Sequence, residues 1–301
     1  MRKLVLTAAL LAAPLLPASA AAPVARTMTC PIGGATFSYT AAVSSGSFGT
    51  RPDGKPYGGA PLPAALPQCP DNGLVLYKEY TPEEVAKLEP LVASEAYQAL
   101  RQDDTQYYRA YWLMKAMGLG AEDYLWALLQ ASWEAEGKPE LRARYLTELA
   151  EASAKVTPDP ADLNWVGMEA RAINALRELG RFDEAKARLA NVPLAGIEIP
   201  IPAGASGDPK VQEARKRRAW LTFFMDLGPV IERRDASPEP FDLIPRGVAL
   251  GRCIDDAAGL AEQPRAFCEK ESAAVEQLRA DRARTQQELD ALRQSRDASG
   301  R

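Results

Sequence analysis

Apolar residues recur at spacings of three and four through residues 83–192, the period of amphipathic helices. The clearest stretch is EARAINALRELGRFDEAKARLANVP, from Glu169 to Pro193. Gly180 divides it into two runs. Phe182, Ala185 and Leu189 carry the apolar face of the second run, and Pro193 closes it. The pattern predicts two helices joined by a tight glycine turn, with small Ala185 where they cross.

Upstream, Thr81-Pro82-Glu83-Glu84 reads as a helix start: a Thr cap, Pro in the first turn and a capping-box Glu. Val85 and Leu88 begin its apolar face, and Pro90 is expected to kink or end it. A dense aromatic run follows, with Tyr107, Tyr108, Tyr111 and Trp112 before Gly118 and Gly120, then Tyr124, Trp126 and Trp133 beyond them. Leu141, Tyr145, Leu146 and Leu149 mark another helix, and Thr157-Pro158-Asp159-Pro160 breaks the chain before the final pair. Helix, glycine turn and helix with a small residue at the crossing resemble tetratricopeptide (TPR) repeats, here about two and a half units. One such hairpin cannot bury its apolar face alone, so the pattern implies a stack. Tyr107, Tyr111 and Trp126 read either as the lining of a peptide-binding groove or as helix–helix core.

Residues 194–209 alternate apolar residues with Pro, then turn to Gly and Ser, and read as a linker. Residues 210–301 form a C-terminal helical region. Its first helix is expected to stop at Gly228-Pro229, and its basic run Arg215-Lys216-Arg217-Arg218 reads as a solvated turn or a docking face. Cys253 and Cys268, separated by Gly259 and Pro264, suit two short helices stapled by a disulfide. Val275, Leu278, Leu289 and Leu292 give the last helix a sparse apolar stripe that admits dimerisation, although Arg282 and Thr285 interrupt it.

The first residues divide into basic Arg2-Lys3, a short apolar run at 4–16 and an Ala18-Ser19-Ala20 cleavage pattern, which together predict a signal peptide over 1–20. The expected destination is the periplasm or the exterior, with no membrane insertion after cleavage.

Within residues 21–80 two motifs face each other, Cys30-Pro31-Ile32-Gly33-Gly34 and Cys69-Pro70-Asp71-Asn72-Gly73. Each resembles a zinc-ribbon knuckle that has lost its second Cys, Gly33 standing in one place and Asn72 in the other. In a zinc ribbon the knuckles meet at one metal, so this resemblance puts Cys30 beside Cys69 and implies that a disulfide has replaced the ion; residual zinc and other pairings are the alternatives. Between the knuckles, the Gly- and Pro-rich run Ser47 to Gly58 presents Arg51, Lys55 and Tyr57, either as a binding surface or as a structural Ω-loop on its own aromatics. Short β-like runs flank it at 35–43 and 74–80. The paired knuckles, the F-G-T-R-x-D-x-K-P-Y run and the helices after Thr81 resemble a bacterial family of unknown function that places a zinc ribbon before TPR-like helices. The resemblance covers about residues 27–192 and brings no enzymatic activity.

Composition narrows the chemistry. Among 301 residues there is no histidine, which removes Ser-His-Asp and Cys-His catalysis within the chain. A net charge of −4, or about −6 without Arg2 and Lys3, gives no footprint for nucleic acid. No motif calls for a cofactor. The expected protein is mainly α, with TPR-like helical hairpins behind a small disulfide-held β/loop module (a degenerate zinc ribbon). Its expected role is an exported interaction scaffold for a protein or peptide partner. A cell-envelope hydrolase using a carboxylate pair, with Glu134, Glu136, Asp159, Asp162 and Asp183 as the available acids, is the enzymatic alternative. A structural envelope protein without a discrete ligand is the third.

Overall fold

The computed structural model describes residues 24–41, 46–59, 61–202 and 204–299. The expected signal peptide at 1–20 lies outside them. The chain is mainly helical, with a small β module at its N-terminus.

In that module β1 (Val24–Thr29) pairs antiparallel with β2 (Thr36–Ala41), in register from Val24↔Ala41 to Thr29↔Thr36. The turn between them is the first knuckle. There the Cys30 amide donates to Ala35 O at 2.8 Å and the Gly34 amide to Cys30 O at 3.2 Å. The second knuckle repeats the pattern: Cys69 N to Leu74 O at 2.9 Å and Gly73 N to Cys69 O at 3.1 Å. Gly33, Gly34 and Gly73 hold φ of +85°, +72° and +75°, which side-chain-bearing residues rarely adopt. A disulfide joins Cys30 to Cys69 across the knuckles. Asn72 adds a second tie, its Nδ2 donating to Ile32 O at 3.1 Å.

The run at 74–80 makes only one isolated bridge, Gln68↔Val75, rather than a strand. Its backbone is served elsewhere: Val75 N donates to the Tyr97 hydroxyl and Leu76 N to Pro67 O. Leu74, Val75 and both cysteines instead share a core with Leu88, Val92, Tyr97, Ala110 and Leu113 from the first helices.

Those helices are α1 (Pro82–Ala93), α2 (Glu95–Asp103) and α3 (Gln106–Ala116). Thr81 and Glu84 form the capping box. Pro90 sits inside α1. The break comes at Ser94, which caps α2 by accepting from Tyr97 N at 3.2 Å. Next come α4 (Ala121–Glu134), α5 (Pro139–Ser153), α6 (Leu163–Glu178), α7 (Phe182–Ala190), the single turn α8 (Leu194–Ile197) and α9 (Pro209–Glu232).

Two glycine turns fold this stack. At Gly180 (φ +72°) the Arg181 amide reaches Leu176 O and the Gly180 amide reaches Arg177 O. At Gly118 (φ +76°) Leu119 and Gly118 bond Met114 O and Lys115 O in the same way. Both are Schellman turns, which satisfy the last carbonyls of one helix while reversing the chain. Consecutive helices pack from α3 to α7, and α4 also touches α6, as α6 touches α9. These contacts lay α4, α6 and α9 side by side.

The expected stop at Gly228-Pro229 does not occur. α9 runs on to Glu232, burying Leu227, Val230 and Ile231 in one core with Val166, Ile173 and Phe182. An internal Pro costs roughly 3 kcal/mol, and fully burying two more branched residues returns about 1.5–3 kcal/mol each. The helix ends in a third Schellman turn, Asp235 N to Val230 O and Arg234 N to Ile231 O, with Arg234 rather than Gly at φ +56°. The basic run is not uniformly solvated either. Arg217 is buried, donating to Pro160 O and Ala161 O.

The remaining helices are α10 (Arg246–Asp255), α11 (Glu262–Lys270) and α12 (Ser272–Ser299). Cys253–Cys268 joins the last turns of α10 and α11. Val275 and Leu278 lean on this unit, whereas Leu289 and Leu292 are exposed. Among the described residues no helix is long and apolar enough to cross a membrane.

Candidate functional site: the seat of the β3–β4 hairpin

The run between the knuckles is a hairpin, not an Ω-loop. β3 (Ser47–Thr50) pairs antiparallel with β4 (Pro56–Gly58). At the apex Arg51 N donates to Lys55 O at 2.8 Å, and Asp53 Oδ1 accepts Lys55 N at 3.0 Å, an Asx turn that bends the chain without outside help. Gly54, at φ +86°, forms the tip.

The tip is buried against the helices. Asp53, 4% exposed, accepts from Arg142 Nη2 of α5 at 3.1 Å. Arg142 Nη1 in turn reaches Glu178 of α6 at 2.5 Å. Burial alone would lower the Arg142 guanidinium, but Glu178 and Asp53 together carry it upward. Glu178 moves up as well, because burial penalises its charge more than Arg142 compensates. Beside it Arg177, 0% exposed, donates to Asn174 Oδ1, Asp235 O and Ser237 O. The third Schellman turn is what brings those two carbonyls to Arg177. One polar network thus joins the hairpin, α5, α6 and the segment leading to α10.

Under Gly54 lies Arg171, with two indoles close to it. The Arg171 guanidinium carbon of α6 is 4.9 Å from the Trp126 ring centroid of α4 and 5.0 Å from that of Trp220 of α9. A Cβ on Gly54 would fall 2.2 Å from Arg171 Nε, so only glycine lets the tip settle here. Arg171 Nη1 donates to Gly167 O at 2.7 Å, but its buried Nε has no acceptor. Burial pulls this guanidinium down to about 10, with Asp53 opposing.

At the rim, Arg51 and Lys55 both pair with Glu136, just past α4. Arg51 Nε also reaches Glu239 at 2.8 Å, and the Tyr57 hydroxyl donates to Glu239 at 2.8 Å. Arg252 of α10 donates to Glu239 O at 3.4 Å and pairs with its carboxylate at 3.7 Å, which ties the C-terminal unit to the hairpin. A cleft of about 940 Å³ opens here between Arg51, Tyr57, Glu136 and the start of α11.

The structure therefore brings Arg51, Lys55, Tyr57 and Trp126 to one region, the hairpin and the helix face under it. Tyr107 and Tyr111 lie on α3. The Tyr107 hydroxyl donates to Ala64 O, and Tyr111, 1% exposed, donates to Glu148. The five candidate acids are dispersed: Glu134 accepts from Tyr107 N, Glu136 holds the rim, and Asp183 is exposed on α7. Asp159 and Asp162 share the edge of a cavity of about 120 Å³, but each already accepts a nearby backbone N–H.

Sequence reasoning missed Asp53, Arg142, Arg171, Arg177 and Glu178. One signal was available: Arg171, Asn174 and Glu178 stand at i, i+3 and i+7 of α6, a polar stripe along one side of a helix with apolar neighbours. Among the described residues no group of His, Cys, Asp and Glu is arranged to hold a metal ion. No family model, curated protein or solved structure matches the chain.

Proposed function

We propose that this chain is an exported interaction scaffold that holds an extended segment of a partner protein on the α4–α6–α9 face. The hairpin carries this reading. A loop-borne segment already lies there: Gly54 sits against Arg171, which lies over Trp126 and Trp220, and the hairpin is held at the side by Arg142 of α5 on Asp53 and by Glu136, just past α4, on Arg51 and Lys55. Stacked helical hairpins supply such faces to extended peptides. The matching turns at Gly118 and Gly180 support the TPR-like description.

Two disulfides indicate an oxidising, extracytoplasmic setting. The signal-like pattern at 1–20 favours the periplasm as that compartment.

Position-specific photo-crosslinking in the exported chain tests the scaffold. Probes at Phe48, 68% exposed beside Tyr57, and at Glu136 are expected to give one discrete adduct. A probe at Asp183 on α7 should not. Adducts of equal yield from all three positions, or none from any, would remove the proposal.

A further inference from the structure

We infer that the α4–α6–α9 face is a receptor for a carboxylate-bearing turn, an Asp-Gly or Glu-Gly segment of the partner, and that the β3–β4 hairpin is its resident competitor. The inference rests on the scaffold reading and gives it a ligand class. Three features of the seat select such a guest. Arg142 Nη2 faces the hairpin and takes a carboxylate, Asp53 Oδ2, at 3.1 Å. The position after that acid must lack a side chain, since a Cβ at Gly54 would strike Arg171. Two indoles, Trp126 and Trp220, hold the Arg171 guanidinium carbon within 5.0 Å of their ring centroids.

The resident fits incompletely. Arg171 Nε lies buried beneath Gly54 without an acceptor, an arrangement that leaves a donor's desolvation uncompensated. A guest placing a carbonyl or carboxylate oxygen there gains an interaction that the hairpin lacks. Two of the hairpin's rim contacts are the replaceable kind: Glu136, the shared partner of Arg51 and Lys55, is 46% exposed, and screened pairs of this sort contribute little. Exchange of hairpin for guest gives up the rim contacts, those of Arg51 and Tyr57 on Glu239 included, and gains an acceptor for the buried cation.

The test uses the full exported chain and a fluorescein-labelled peptide copying residues 47–58, with a second peptide carrying the Asp53→Asn change. Binding is read by anisotropy, and hairpin release by lost exchange protection of the Arg51 amide, which is bonded to Lys55 O in the seated hairpin. Two host variants weaken the resident independently: Gly54→Ala at the tip, and Arg51→Ala with Lys55→Ala at the rim. A receptor freed from its competitor should bind the first peptide roughly tenfold more tightly than wild type does, because apparent affinity scales with the fraction of open sites. The Asn peptide should lose that gain. The inference is overturned if neither folded variant binds the peptide, or if both peptides bind wild type and variants alike. Crosslinking at Phe48 and Glu136 reads partner capture whatever residues the partner presents, so its outcome separates failure of this inference from failure of the scaffold.

Discussion

The N-terminal module meets the helices at two ends, and the ends are built on different physics. At the knuckles Cys30, Cys69, Leu74 and Val75 join Leu88, Val92 and Leu113 in one apolar core. At the hairpin the contact is mainly charged: Asp53, Arg142 and Glu178 inside, Gly54 over the Arg171 guanidinium, and Arg51, Lys55 and Glu136 at the rim, with Tyr57 adding an apolar contact to the C-terminal core. Apolar burial is non-directional, and no small ligand readily replaces it. A buried ion pair contributes little net stability against its desolvation, yet it demands a particular partner. The module is therefore anchored at one end and specifically but replaceably seated at the other.

The largest effect belongs to the anchored end. Closing the loop between Cys30 and Cys69, a sequence separation of 39, is worth about 4 kcal/mol in the chain-entropy account. The Cys253–Cys268 loop, separation 15, is worth about 3 kcal/mol. Replacing each pair by Ala and comparing urea unfolding should show that order. The reverse order would mean that the knuckle end does not anchor the fold.

At the seated end, Arg142→Met should cost about 3 kcal/mol, because Asp53 and Glu178 would remain buried without their shared cation. Urea titration measures it, and added salt should hardly change it, since buried charges are screened little. A loss below about 1 kcal/mol would make the seat an ordinary surface contact and erase the distinction between the ends.

Tyr97→Phe probes a hydroxyl that is fully buried inside the apolar end. It donates to Gly73 O at 2.9 Å and accepts from Val75 N. The change should cost about 1–2 kcal/mol and speed exchange of the Val75 amide. Unchanged exchange would show that the hydroxyl does not fix the second knuckle.

What the sequence made legible was local. Thr81 and Glu84 announce a capping box within four residues, and Gly180 announces a turn between two apolar runs. The Cys30–Cys69 pair was implied by the resemblance to a zinc ribbon, and the Cys253–Cys268 pair by local spacing. The seat was invisible because it is assembled from Asp53, Trp126, Arg142, Arg171 and Trp220, each on a separate element, and no short-range pattern couples them. The end of α9 escaped for a related reason. Pro229 argues locally for a stop, but tertiary burial of Val230 and Ile231 outweighs it, and Arg234 occupies the left-handed position where Gly would have signalled the turn.

The smallest effect is the most telling about the rim. Glu136 is held below its ordinary value of 4.5: burial pushes it up, but Lys55 and Arg51 pull it further down. A carboxyl depressed in the folded state contributes stability that is fully present above 4.5 and is lost as pH falls through the folded value. With Glu136 46% exposed, the contribution is below about 1 kcal/mol and shrinks with salt. Glu178 works in the opposite sense, since burial raises its carboxyl and acid favours the folded form through that group. The two can be separated by comparing wild type with Glu136→Gln, in which Glu178 is common to both. Below pH 4.5 the wild-type Arg51 amide, bonded to Lys55 O, should become less protected, whereas the Cys69 amide on Leu74 O should not. In Glu136→Gln the Arg51 amide should start less protected and lose that acid dependence. If both amides respond to acid alike, the hairpin and knuckles open as one body, and the seat is no more replaceable than the anchor.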